Sequence, residues 1–278
     1  MKLLMHSLTQ KRYDMTVSNP PQSLLMVAPA GSGKESILHS LAKDIAGDNH
    51  IGRLFEITCP EDKKSISIDA IRELKNTLRL KSLENRVVLI TQAGLLTVEA
   101  QNSLLKLLEE PPKNTFFLLG VNSLGEVLDT IQSRTSVWRL IPPTRKQLET
   151  YFNRFPESEI SKTLVIANNK VGLVSNLLNK DAEHPLLGAI ETGKEILSEK
   201  HFNRLIRVDV LSKDSIQTKN ILEALEILCR AALENAAVKQ TKNIDQWNKR
   251  LNFVIQAQNY LASSVQPKLV LSYLFMVL

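Results

Sequence analysis

Residues 28–36, APAGSGKES, form the first group able to do chemistry. They lie between an apolar run, Ser23–Val27, and a run with helical spacing, Ile37–Ile45. Gly31 and Gly33 let backbone N–H groups curl around phosphate oxygens, and Lys34 offers a cation to neutralise them. A working loop of the form G-x-x-x-x-G-K-[ST] also needs a leading glycine and a hydroxyl that holds magnesium. Ala28 occupies the first of these places and Glu35 the second. A carboxylate adds negative charge beside the phosphates and is longer than a hydroxyl. Ser36 comes one residue late, and one step turns a helical side chain by ~100°.

Metal-dependent hydrolysis also needs an acid at the end of a neighbouring strand. The β-branched run Arg86–Thr91 reads as that strand. It leads into Gln92, and no Asp or Glu lies between Glu84 and Glu99. With both hydroxyl and acid replaced, ATP hydrolysis by this chain is not expected, and no cofactor is required. Two readings of the loop stay open. The preferred one is a connection that keeps an ancestral shape; the other is a site that binds ATP or ADP through Gly31, Gly33 and Lys34 without hydrolysing it. Asn122, after the strand that ends at Val121, either contacts a terminal phosphate or caps the next segment.

The third candidate is Arg134. It follows LLKLLEEPP at 104–112, an apolar strand at 116–121 and a helical segment at 127–133. Pro111 and Pro112 must stop the first helix, since proline cannot donate to its ladder. Arg134 then arrives at a helix end, where its side chain can project away from the body. An arginine there stays charged and presents a planar donor fork. At a subunit edge, such a fork can stabilise transition-state charge on a neighbour's phosphate. The pair Lys11 and Arg12 reads as a solvated face. Cys59 and Cys229 are the two cysteines, and neither has a Cys or His at ligand spacing, so no zinc or other metal site is inferred.

Around these residues, strands and helices alternate up to Ile141, which argues for an open α/β sheet with helices on both faces. Ser67–Leu80 has one apolar face, Ile68, Ile71, Leu74 and Leu78, and Thr97 is placed to cap the helix that ends near Glu110. A second strand is expected within 51–58 and a last one at 137–140. Thr144 and Gln147 form a capping box for a helix whose apolar face is Leu148, Tyr151 and Phe152. Helices at 158–168 and 173–178 follow, and the remainder has helical spacing. One stripe is Ile221, Leu222, Leu225, Leu228 and Leu233; another is Trp247, Leu251, Val254, Ile255 and Leu261. The 278 residues are 43% hydrophobic but 5% aromatic, so the core must be aliphatic and helix-rich. The net charge of +6 suits nucleic acid or an acidic partner without singling out either. The apolar runs fall short of the ~18 residues of a membrane span, and a reducing cytoplasm fits the cysteine usage.

The order of APAGSGKES, RVVLITQAGLLTVEAQNSLLKLLEEPPKNTFFLLGVN and TIQSR resembles the clamp-loader branch of the AAA+ ATPases. LLEEPP, followed by a strand and Ser-Arg, is its most specific part, and the resemblance covers residues 5–180. It implies an α/β plus all-α protein: a AAA+ P-loop parallel-sheet domain at 1–141, a small helical lid at 142–182 and a helical collar at 183–278 that builds a ring. It implies that Arg134 is an arginine finger in trans, completing the ATP site of a neighbouring motor subunit. Asn122 falls at the sensor position, Gln92 where active members carry the metal-binding acid, and Ser175 where they carry a second sensor arginine, after Gly172. Thr135 stands where the family usually has cysteine. Many bacterial relatives carry a four-cysteine zinc module here, of which only Cys59 is present. The implied role is that of a non-hydrolysing stator in a bacterial DNA polymerase III clamp loader. Its partners would be the motor and clamp-opening subunits, the sliding clamp and, through the complex, primer–template DNA. The rivals are a motor-type ATPase using Glu35 and a DNA-binding module, which would bind DNA alone with steep salt dependence.

Overall fold

A computed structural model describes residues 3–47, 51–60, 63–79, 82–167, 170–179, 185–240, 243–263 and 265–278. Leu80 and Asn168, both expected helix ends, and the expected boundary at 182 lie outside the described residues. The chain divides into two compact units, Met1–Tyr151 with Lys170–Leu173, and Phe152–Asn169 with Val174–Leu278.

The first unit runs α1 (Ser7–Ser18), β1 (Ser23–Val27), α2 (Lys34–Ala46), β2 (Leu54–Glu56), α3 (Ile68–Leu78), β3 (Arg86–Ile90), α4 (Val98–Glu109), β4 (Thr115–Val121), α5 (Asp129–Gln132), β5 (Ser136–Arg139) and α6 (Arg145–Tyr151). All strand pairs are parallel, in the order β2-β3-β4-β1-β5. The central strands carry near-continuous apolar runs because helices cover both faces. The pleat sends alternate residues to opposite sides. Val88, Ile90, Phe117 and Leu119 join α3 and α4 in one core cluster, while Val87, Leu89 and Leu118 join α2 and Trp138 in the other. Burying each aliphatic side chain of this kind contributes ~1.5–3 kcal/mol.

The caps read from sequence are present. Thr97 Oγ1 accepts from Ala100 N at 3.2 Å. Thr144 and Gln147 bond reciprocally, Thr144 N to Gln147 Oε1 at 2.9 Å and Gln147 N to Thr144 Oγ1 at 3.3 Å. The differences are local. β2 is only three residues long. The helix expected at 127–133 is four residues long, after a 3-10 turn at Leu124–Glu126. Tyr151 is exposed while Leu148 and Phe152 are buried. Arg12 is more than a solvated cation: its guanidinium lies 5.3 Å over the Trp138 ring and donates to Val137 O at 3.0 Å.

The second unit contains α7 (Glu157–Ile166), the later turns of α8 (Val171–Leu178), α9 (Pro185–Ser198), α10 (His201–Leu211), α11 (Ser215–Val238), α12 (Ile244–Ala262) and α13 (Pro267–Val277). α11 is its axis and lies against α9 and α12. Ile221, Leu222 and Leu225 are buried as expected, but Ile255 faces out and Ala257 takes the interior place on α12. Arg204 is buried and donates from Nε to Ile196 O at 2.7 Å, near the C-terminal end of α9 where carbonyls lack helical partners. Burial holds its pKa below the usual arginine range.

Cys229 lies wholly inside this unit, and burial pushes its thiol from 9.0 to about 11. The neutral form is therefore favoured in the native state. Its contribution to stability is full below the ordinary thiol pKa and is lost as pH rises through about 11. A native-state titration with a thiol reagent should modify Cys59 and spare Cys229 until the chain unfolds. The loss of stability between pH 9 and 11 should be smaller in Cys229→Ala.

Candidate functional site

The sheet register assembles the site. Val27 pairs with Val121, and Ile90 with Leu119, so β1, β3 and β4 end along one edge. Ala28 N then donates to Val121 O at 3.1 Å, which ties the start of the loop to the residue before Asn122. Gly31 and Gly33 have φ of 74° and 84°, a left-handed conformation that side-chain-bearing residues rarely adopt. Gly33 is the N-cap of α2 and sets Lys34 and Glu35 on its first turn.

Lys34 is 5% exposed, and its ammonium group is engaged within the chain. Nζ donates to Ala28 O at 3.1 Å and to Asn122 Oδ1 at 3.0 Å. Burial holds its pKa below the usual lysine range, and the nearby carboxylates of Glu126 and Glu35 oppose that shift. Desolvation outweighs both charges, so the lysine is more strongly removed from water than it is compensated.

Glu35 and Gln92 meet directly, Gln92 Nε2 donating to Glu35 Oε1 at 3.1 Å. These are the two places where magnesium chemistry takes a hydroxyl and an acid. A carboxylate–amide hydrogen bond occupies both, so this donor set does not fit a magnesium–nucleotide pair. The loop is also joined to the segment 170–173, since Gly172 N donates to Gly31 O at 2.9 Å.

Asn122 accepts from Lys34 with its side chain, which does not cap the segment that follows. Its backbone N–H donates to Glu126 Oε2 at 2.9 Å. Glu126 fits only because residue 94 is glycine; a Cβ there would lie 2.4 Å from Glu126 Oε2. Ser175 belongs to the second unit, where its Oγ accepts from Asn179 Nδ2 at 3.2 Å.

Arg134 does not project freely. Nη2 lies 2.6 Å from Glu109 Oε1, on the last turn of α4. Nη1 donates to Thr130 O at 3.1 Å and to Ser133 Oγ at 3.4 Å. Thr135 Oγ1 bonds back to Ile131 O at 3.0 Å, so the residue after Arg134 closes the same turn. Among the described residues, no hydrogen bond or ion pair joins Arg134 to Lys34, Glu35, Gln92 or Asn122.

Three residues of this region were missed in the sequence: Glu109, Glu126 and Gln101. Gln101, buried on α4, donates to Leu96 O at 3.2 Å and Glu126 O at 3.3 Å, and accepts from Leu128 N at 2.9 Å. It joins α4 to the segment that carries both Glu126 and α5. A mid-helix glutamine followed by an apolar stripe was the only available signal.

A five-stranded parallel sheet, a glycine loop after β1 and a separate helical unit define a protein of the AAA+ α/β class with a helical C-terminal part. A family model described as DNA polymerase III, delta subunit, matches residues 6–144, and the chain belongs to this AAA+ clamp-loader family. It is 30% identical over 139 residues to a replication factor C small subunit of Natronomonas pharaonis, covering 49% of this chain and 42% of that one. It is 33% identical over 143 residues to DNA polymerase III subunit delta' of Haemophilus influenzae, covering 45% and 44%. The chain thus spans less than half the length of the curated relatives it matches. Among solved structures it resembles a DNA polymerase III gamma subunit-related protein of Thermotoga maritima, with a TM-score of 0.56, 18% identity and coverage of 96% and 97%. At that identity the likeness is one of fold.

Gln101→Leu should leave one buried and one half-buried carbonyl and one N–H without their partner. The expected loss is about 2 kcal/mol, read from the urea midpoint of unfolding.

Proposed function

We propose that the chain is the non-hydrolysing stator of a bacterial sliding-clamp loader, lending Arg134 to the ATP site of a neighbouring motor subunit. The observation that carries this reading is the Glu35–Gln92 hydrogen bond at 3.1 Å, where a motor subunit needs a hydroxyl and an acid. The engaged state of Lys34 supports it further, as does the second carboxylate of Glu126 beside it. Under this reading Gly31, Gly33, Lys34 and Asn122 are a retained scaffold, and neither nucleotide, magnesium nor zinc is required. The cysteine that lies where relatives hold a zinc module, Cys59, donates to Lys63 O at 3.3 Å.

The same proposal divides the chain into core, lid and collar at 1–141, 142–182 and 183–278, and places it in the cytoplasm. No helix among the described residues is long and apolar enough to cross a membrane. The collar would join a ring containing the motor and clamp-opening subunits, which act on the sliding clamp and primed DNA. In support, α10 presents Phe202, Ile206 and Val210 to solvent at 74%, 62% and 60%, a stripe at helical spacing that no described residue covers.

The test is Arg134→Ala in a loader reconstituted with its cognate subunits. An arginine finger is worth ~10³-fold or more at the site it serves. Clamp- and DNA-stimulated phosphate release should therefore lose the contribution of one neighbouring site. Unchanged release rules the finger out. The purified chain alone should show no magnesium-dependent ATP turnover, whereas a motor-type subunit would. Retention of a labelled ATP analogue by the isolated chain would make the loop a structural nucleotide site.

A further inference from the structure

We propose that Glu109 is a positioning residue that presents Arg134 to the neighbouring subunit. This rests on the finger reading above and names the group that sets the finger's geometry. The contact is an ion pair, Glu109 Oε1 to Arg134 Nη2 at 2.6 Å.

Glu109 stands where local electrostatics disfavours it. It lies on the last turn of α4, at the negative end of the helix dipole, and Glu110 follows it. A cation offsets a carboxylate there; Lys106 lies on the same last turn, and Arg134 pairs with Glu109 directly. The platform is stiff: Leu104, Leu107 and Leu108 are buried in the core, and Pro111 and Pro112 end the helix immediately beyond. The second anchor is backbone, Thr130 O, which accepts from Nη1 at 3.1 Å.

The guanidinium has five N–H groups. Nη1 donates to Thr130 O and Ser133 Oγ, and one side of Nη2 faces the Glu109 carboxylate as an ion pair. Nε–H and the other Nη2–H make no bond among the described residues, and the Arg134 side chain is 36% exposed. Two donors in a fixed plane therefore remain for a phosphate oxygen. A carboxylate beside a cation also weakens its attraction for phosphate. Orientation is taken to be the larger effect, because a long flexible side chain held in place loses less entropy on reaching the transition state.

The experiment compares Glu109→Ala, Glu109→Gln, Arg134→Ala and the double alanine variant in the reconstituted loader. Thermal unfolding of each chain serves as the check on folding. Glu109→Ala should lower kcat of the stimulated ATPase about 10-fold at the neighbouring site with KM for ATP unchanged. Glu109→Gln keeps an oxygen acceptor and should recover most of that loss. The double variant should equal Arg134→Ala. If Arg134→Ala lowers turnover while Glu109→Ala does not, the positioning role is wrong and the finger stands. If Glu109→Ala raises turnover, the carboxylate restrains the finger and the proposal is overturned. A double variant worse than Arg134→Ala would make Glu109 structural and overturn it too. An inert Arg134→Ala would remove the finger reading itself.

Discussion

Parallel pairing of β1 with β4 fixes where the charged groups of the first unit fall. The ladder continues one bond past Val27, from Ala28 N to Val121 O at 3.1 Å. That bond places the Ala28 carbonyl and the Asn122 amide on either side of Lys34. A buried ammonium must be hydrogen-bonded or it neutralises. Here two neutral oxygens accept from it, and two carboxylates stand near enough to favour its charge. Burial still wins, since its pKa is depressed overall. The loop therefore keeps the shape that binds phosphate while its cation serves the interior of the chain.

How much of this was legible depends on the range of the interaction that decides each feature. β1, β3 and β4 could be read because a strand covered on both faces is apolar at every position. Thr97 and Thr144 could be read because capping partners lie three residues away. The helix expected at 127–133 is shorter because Leu128 is extended and only caps it, its N–H held by Gln101 Oε1, 27 residues upstream. That bond satisfies the N–H outside the helical ladder, and α5 begins after it. Ile255 was drawn into an apolar stripe by its type, yet Ala257 is the residue small enough for the interior of α12. Glu126 was invisible for a similar reason: its place depends on the missing Cβ of Gly94, on another segment.

Arg134 shows the same limit at the site. Helix-end signals locate it at the close of α5, but they carry no information about which way its side chain turns. Glu109 decides that, from the end of a helix 25 residues earlier. The LLEEPP run contributes twice: its leucines anchor α4 in the core, and its first glutamate reaches Arg134. An acidic residue at a helix C-terminus breaks a local electrostatic preference. Such breaks tend to mark places where tertiary or functional demands override local ones.

The pair at 35 and 92 obeys a conservation of charge. A hydroxyl at the loop and an acid at the strand end carry one negative charge between them, and so do Glu35 and Gln92. Relative to that pattern, the carboxylate stands on the loop and the neutral hydrogen-bonding group at the strand end. Either change alone would be unfavourable in the absence of a metal. Glu35 facing an acid at 92 would set two carboxylates within hydrogen-bond reach, where one must take up a proton. Gln92 facing a hydroxyl would leave Lys34 with one fewer compensating charge. Together, Glu35 and Gln92 leave one carboxylate near Lys34 and join the two positions by an amide–carboxylate hydrogen bond.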